Sequence, residues 1–220
     1  MHETNFFNID NKLIELDKKA LERSKKQFER IDSITEYNQL KVLKAFIKNG
    51  VSEASFAGST GYGYDDRGRE VLEKVMADCM GAEDSLIRHN FVSGTHTLTV
   101  ALFGVLRPGD KVICLTGRPY DTITGVFGID EKTDGSLADF GVKYSQVELK
   151  SDGTPDIEEI KRVLSNEKPK MAYIQRSRGY STRPSLKIAD IEIIIKAIKE
   201  TSPESIIMVD NCYGEFVETQ

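Results

Sequence analysis

Four short apolar runs, "KVICL", "VKYSQVEL", "KMAYIQ" and "SIIMVD", recur through the second half of this chain with helix-like segments between them. This alternation is the feature that most limits the fold. Runs of five to eight residues that are apolar on both faces suit strands covered on both sides, and a strand returning through a helix becomes parallel to the one before it. The prediction is an α/β protein with a mostly parallel sheet flanked by helices and preceded by an N-terminal helical segment. The strands are expected at Lys111–Leu115, Val142–Leu149, Lys170–Gln175 and Ser205–Asp210, with a further short one at "SLIRHNF". Helices are expected over Val71–Met80, from Gly94 to the turn at Pro108-Gly109-Asp110, near Tyr120, from Pro155 to Asn166 and from Lys187. The stretch Leu98–Leu106 is apolar enough to be buried on most faces.

The first fifty residues differ in character. Ile9–Ile31 places Leu13, Ile14, Leu16, Ala20, Leu21 and Phe28 among many charges, and Ser33 with Glu36 reads as a capping box opening a second helix that stops at Asn49-Gly50. The organisation expected is a helical arm over 1–55 and an α/β domain over 56–220. The arm exposes enough charge to pack through one narrow stripe only, on a second subunit or on a distant part of the same chain.

Composition removes several function classes. A net charge of −5 without a lysine/arginine face argues against nucleic acid as a partner. Nothing approaches the ~18 continuous apolar residues of a membrane span, and the first residues lack a basic segment followed by an apolar one. Cys79, Cys114 and Cys212 are odd in number and widely spaced, which suits reduced thiols in the cytoplasm and neither a disulfide frame nor a metal site. Gly61 and Gly63 open a GxGxxG whose third position holds Asp66, and Gly63 and Gly68 have P-loop spacing with Arg69-Glu70 where lysine and a hydroxyl belong. Both nucleotide motifs fail.

Ligands of open α/β sheets bind beyond the carboxyl ends of the strands. Those ends here are Ser93-Gly94-Thr95, Thr116 to Tyr120, Gln175 to Arg178 and Asp210-Asn211. Ser93 or Thr95 could cap the apolar helix, or the free N–H groups of Gly94, Thr95 and His96 could hold an anion. Tyr120 offers a ring face, or is simply a helix-start residue. Asp210 offers a carboxylate, or caps the next turn. Arg176 and Arg178 either hold a carboxylate or form surface ion pairs.

Several of these segments resemble one family in order. "VSGTHT" resembles the phosphate cup of fold-type I enzymes that use pyridoxal 5′-phosphate, "RPYDT" the segment whose tyrosine stacks on the cofactor ring, and "IIMVDNCYGEF" the strand whose aspartate pairs with the pyridine nitrogen. "GYGYDDRGR" resembles the segment that reaches a neighbouring subunit's phosphate, although its tyrosine–arginine spacing departs from the usual Tyr-x-Arg. With "IQRSRGYSTRPS", the whole is most similar to the Cys/Met-metabolism type, closest to the methionine γ-lyase/cystathionine β-lyase-like "aluminium resistance" proteins. The resemblance implies pyridoxal 5′-phosphate as cofactor, bound by Ser93, Gly94, Thr95, His96, Tyr120, Ser177 and Asp210, with Tyr64 and Arg67 serving a neighbour. It implies Tyr120 as the catalytic residue, Arg176 and Arg178 as substrate ligands, and a homodimer or homotetramer acting on a small sulfur amino acid by β- or γ-elimination. His96 lends its backbone N–H alone, or lies over the ring.

The family also requires a lysine bonded to the cofactor, some tens of residues after the aspartate. No lysine follows Asp210, and Lys187 in "PSLKIAD" has the wrong surroundings. The expectation is that these 220 residues are the front part of a longer polypeptide. The alternative is a non-catalytic α/β domain that binds an anionic metabolite, or pyridoxal 5′-phosphate without a covalent link.

Overall fold

A computed structural model of the chain describes residues 7–60, 62, 66–131 and 133–219. They form two compact units, one reaching from the N-terminal region to Ile87 with Phe216–Thr219 added, the other spanning Arg88–Glu215.

In the first unit, α1 runs unbroken from Asn11 to Lys48, where the sequence suggests two helices. Neither proline nor glycine interrupts those 38 residues, and Ser33 can cap only by leaving the helix, so it stays an interior residue. Asp10 is the actual cap, its carboxylate accepting the Lys12 N–H at 2.8 Å. The expected stop holds: Asn49 is the C-cap and Gly50 takes a left-handed φ of 61°. Helix α2, Arg67–Met80, starts earlier than predicted because the Asp66 carboxylate caps it through the Arg69 N–H, and it ends at left-handed Gly81 as expected. Ala45 of α1 packs with Val75 and Cys79 of α2, and Val42, Val51 and Val71 close around them. That shared apolar seam carries the unit past the expected boundary at residue 55. Buried Asn38 donates from Nδ2 to the carbonyls of Phe216 and Glu218, at 3.1 and 3.0 Å, which fastens the last described segment to α1. Residues 85–91 form no strand. Their polar groups turn to α2 instead: Ser85 donates to the Glu73 carbonyl, and the Ile87 N–H donates to the Glu73 carboxylate.

The second unit contains the sheet. Its strands are β1 (Lys111–Cys114), β2 (Lys143–Gln146), β3 (Met171–Gln175) and β4 (Ile206–Asp210), all parallel, in the order β2-β1-β3-β4. Helices α3 (Gly94–Val105), α4 (Asp121–Phe127), α5 (Ile157–Glu167) and α6 (Ile188–Thr201) cover it. Alternation along the strands sorts the core into two layers. Ile113, Ala172 and Ile174 face Ile160 and Leu164 of α5 and Ile194 and Ile198 of α6. Val112, Cys114, Met171 and Tyr173 face Leu102 of α3 and Ile123 and Phe127 of α4. The parallel, doubly covered sheet is as predicted. Helix α3 is less enclosed than its composition suggests, since Leu102 is its one buried residue and Val100 remains 42% exposed. Among the described residues the sheet meets only one side of it. No described helix is long and apolar enough to cross a membrane.

Burial separates the three thiols. Cys79 and Cys114 are buried and Cys212 is exposed, and burial pushes the Cys114 thiol up to about 12. Iodoacetamide at pH 8 is therefore expected to add one group to the native protein, at Cys212, and three after unfolding. Peptide mass spectrometry checks the count, and native labelling of Cys114 would contradict this packing.

Candidate functional site

Parallel strands deliver their carboxyl ends to one edge, and the residues there are tied together by a short polar network. Gln175, the last residue of β3, sits opposite Asp210, the last of β4. Its backbone N–H donates to the Thr116 hydroxyl beyond β1 at 2.9 Å. Its side-chain Oε1 accepts the Tyr120 N–H at 2.6 Å, and Nε2 donates to the Ser177 carbonyl at 3.1 Å. Gln175 is only 4% exposed, so one buried amide fixes the start of α4 and the loop after β3 at once. Arg183 adds a second donor to the Ser177 carbonyl at 2.6 Å.

The Asp210 carboxylate is held from two sides. The Tyr173 hydroxyl donates to Oδ2 and the Cys212 N–H to Oδ1, each at 3.1 Å. Burial, and after it the Asp210 charge, push the Tyr173 phenol far above its ordinary range, so it remains a donor at any physiological pH. These bonds orient the carboxylate without exhausting its lone pairs.

At the same edge stands the N-terminus of α3. Ser93 is the cap, its hydroxyl accepting the His96 N–H at 3.1 Å. The cap leaves the N–H groups of Gly94 and Thr95 without a protein acceptor among the described residues. A Cβ on Gly94 would meet nothing within 4 Å, so the approach to these donors is open. The Thr95 hydroxyl donates to that of Thr122 at 3.1 Å and ties the turn to the start of α4. His96 is less available than its place in the motif implies. Its backbone N–H goes to Ser93, its Nδ1 accepts the Val92 N–H at 3.3 Å, and its ring packs edge-on to Phe91.

Tyr120 precedes α4, half-buried, with its backbone held by Gln175. The two candidate arginines part company. Arg178 is exposed. Arg176 is 6% exposed, and its guanidinium donates to Asn211 Oδ1 (2.8 Å) and to the carbonyls of Gly214 and Leu186. It braces the loops after β3 and β4, at the edge where the sequence places it as a substrate ligand. Ser177 enters the network through its carbonyl. Arg67 lies exposed on the first turn of α2 in the first unit, and Tyr64 falls outside the described residues. Thr116 and Gln175 lie within the strand ends read from the sequence without a role of their own, and Tyr173 and Tyr180 are not among the candidates. The available signal was a polar residue closing an apolar run, which marks Gln175 and Thr116 but not the tyrosines.

Known proteins give this geometry a context. The family profile described as methionine gamma-lyase matches residues 13–220. The chain is 46% identical over 190 residues to the uncharacterized protein YnbB of Bacillus subtilis, covering 86% of this chain and 45% of that protein. It superposes with a TM-score of 0.91 and 46% identity on a Clostridium acetobutylicum protein provisionally described as a cystathionine beta-lyase involved in aluminum resistance, over 97% of this chain and 51% of that one. The fold alone is shared with the pyridoxal-5′-phosphate-dependent protein YhfS of Escherichia coli, at 18% identity and a TM-score of 0.60 over 81% of this chain and 45% of that one. The chain thus spans about half the length of these relatives.

Proposed function

The chain belongs to the methionine gamma-lyase family, and from that premise we propose that it is the cofactor-binding part of a pyridoxal-5′-phosphate-dependent carbon–sulfur lyase. The reaction would be β- or γ-elimination on a sulfur amino acid such as cystathionine or methionine. One observation carries the proposal: the open N–H groups of Gly94 and Thr95 and the braced carboxylate of Asp210 stand at the same edge of one sheet.

The residues present fit the cofactor. A helix N-terminus with unclaimed N–H groups suits a dianionic phosphate, and a carboxylate oriented by two donors suits a protonated pyridine nitrogen. When bound, pyridoxal 5′-phosphate supplies an electron-poor ring that takes up the electron pair left on the substrate. Gly94 and Thr95 hold the phosphate, and Ser93 keeps the turn wound. Asp210 keeps a proton on the ring nitrogen. Tyr120 gives the ring a face. The hydrogen bond to Tyr180, and then desolvation, raise its phenol above the ordinary value, so the hydroxyl keeps its proton near neutrality. As the C–S bond breaks, its electron pair leaves with sulfur and the Tyr120 hydroxyl can supply sulfur with a proton. Arg178 remains for the substrate carboxylate. A homodimer or homotetramer is part of the proposal, supported by Leu13, Leu16, Phe28 and Ile31 lying exposed along α1.

The test is to load the complete polypeptide with pyridoxal 5′-phosphate and offer cystathionine and methionine. Release of a thiol together with a 2-oxo acid is the expected result. A stable absorbance change from bound cofactor with no turnover of any sulfur amino acid would favour the non-catalytic binding domain instead.

A further inference from the structure

The turn after β4 offers Asp210 a donor from a backbone conformation that its own side chains do not hold. Cys212 gives its N–H to Asp210 Oδ1 at 3.1 Å with a φ of +52°. Glycine usually supplies that left-handed value, and another residue keeps it only where the surroundings impose it. Cys212 and Tyr213 are both exposed, Tyr213 by 90%, so their side chains do not impose it. The two ends of the turn are held instead. The Gly214 N–H donates to the Asn211 carbonyl at 3.0 Å. Arg176 Nη1 then donates to Asn211 Oδ1 at 2.8 Å and to the Gly214 carbonyl at 2.7 Å, one nitrogen spanning the first and last residues. The Arg176 backbone N–H donates to the Asp210 carbonyl at 3.0 Å. Behind this grip, Arg176 Nε donates to the Leu186 carbonyl at 3.1 Å and the Leu186 N–H donates back to the Arg176 carbonyl at 3.0 Å. Leu186 is buried in the layer with Ile191 and Ile194 of α6, so the grip is anchored in the core.

We propose that Arg176 is a positioning residue for Asp210: by holding both ends of the turn Asn211–Gly214 it keeps the Cys212 N–H on Oδ1 and so aims the carboxylate at the ring nitrogen. Gly214 is the position that lets the guanidinium seat. A Cβ there would overlap Nη1 of Arg176 and stand 2.7 Å from both Arg176 Cζ and Asn211 Oδ1. The φ of Gly214 is not left-handed, so the guanidinium and not the backbone requires glycine here. The role complements that of Tyr173, which holds the other carboxylate oxygen from within the sheet. The proposal rests on the reading of Asp210 as the partner of the ring nitrogen.

The experiment loads the complete polypeptide with pyridoxal 5′-phosphate carrying nitrogen-15 in its ring, and its main readout needs no substrate. The resonance of that nitrogen reports whether it holds a proton. Asp210→Asn is the control that removes the carboxylate. Gly214→Ala pushes the guanidinium from its seat while every core side chain is kept, and Arg176→Lys keeps the charge but loses the fork. At neutral pH both variants are expected to move the resonance part of the way from its wild-type position toward that of Asp210→Asn. They are also expected to lower kcat for cystathionine about fivefold with KM within about twofold, the size of one modest hydrogen bond lost in the transition state. A brace between loops and nothing more would lower the urea midpoint and leave the ring nitrogen unmoved. An unchanged resonance in Gly214→Ala, while Asp210→Asn shifts, therefore overturns the inference and leaves the function standing, whatever the midpoint does. If Asp210→Asn itself leaves the resonance in place, the reading of Asp210 falls, and the inference with it.

Discussion

Replacing Asp210 by Asn is expected to slow carbon–sulfur cleavage about ten- to a hundredfold while leaving the fold in place. The charge-assisted hydrogen bond proposed between this carboxylate and the ring nitrogen is typically worth about 1.5–3 kcal/mol, and each 1.36 kcal/mol of barrier is about tenfold in rate. Asn cannot hold a proton on that nitrogen. It can still accept from the Tyr173 hydroxyl or the Cys212 N–H, which limits the structural loss to roughly one hydrogen bond, about 1 kcal/mol. The two quantities to measure are kcat and the urea midpoint of the same variant. Full activity would remove Asp210 from the mechanism, and a collapse of the midpoint with proportionate loss of activity would make it a structural residue.

The largest effect on stability is expected at Phe127. It is 1% exposed at the end of α4, edge-on to Tyr173 at 5.6 Å and tilted against Tyr144 at 5.3 Å. Truncation to Ala removes most of a fully buried ring and leaves a cavity between two tyrosines, a change that costs about 3–5 kcal/mol. Domains of this size are typically stable by only about 5–15 kcal/mol, so the variant should unfold at a markedly lower urea concentration. Phe127→Leu, which keeps more of the volume, should lose much less. The loss should reach the site as well, because Tyr173 is the group that donates to Asp210. An Ala variant with an unchanged midpoint would contradict the packing of this layer.

The parts of the fold that could be read from the residues are those where one local signal decides the outcome. Val112–Leu115 and Met171–Ile174 are apolar on both faces, and only a doubly covered strand accommodates that. Asn49-Gly50 and Gly81 end their helices because a left-handed residue does so wherever it occurs. Competing signals misled. Ser33 with Glu36 has the pattern of a cap, yet leaving the helix there would have given up hydrogen bonds that an unbroken α1 keeps. Residues 85–91 have strand-like content, but a strand needs a neighbour, and Glu73 satisfied their polar groups first. The site divides in the same manner. Gly94, Tyr120 and Asp210 are legible because they sit at strand ends and helix starts. Arg176 is legible as a polar residue at a strand end, but its bonds to Asn211 and Gly214 in the loop after β4 are not, because they join residues 35 and 38 positions apart. The Gln175 clamp joins residues 55 positions apart, which no local pattern announces.

The bonds from Asn38 to Phe216 and Glu218 have a consequence for biosynthesis. Their partners lie 178 and 180 positions further along the chain. At a typical ribosomal rate of about 5–20 residues per second, α1 would leave the exit tunnel roughly 10–35 seconds before the segment that covers it exists. During that interval the α/β unit can assemble in order, each strand meeting neighbours already made, whereas the first unit must wait with apolar surface uncovered. Nascent chains arrested before Phe216 should therefore recruit chaperones to the region around Asn38, and release them once Glu218 has emerged.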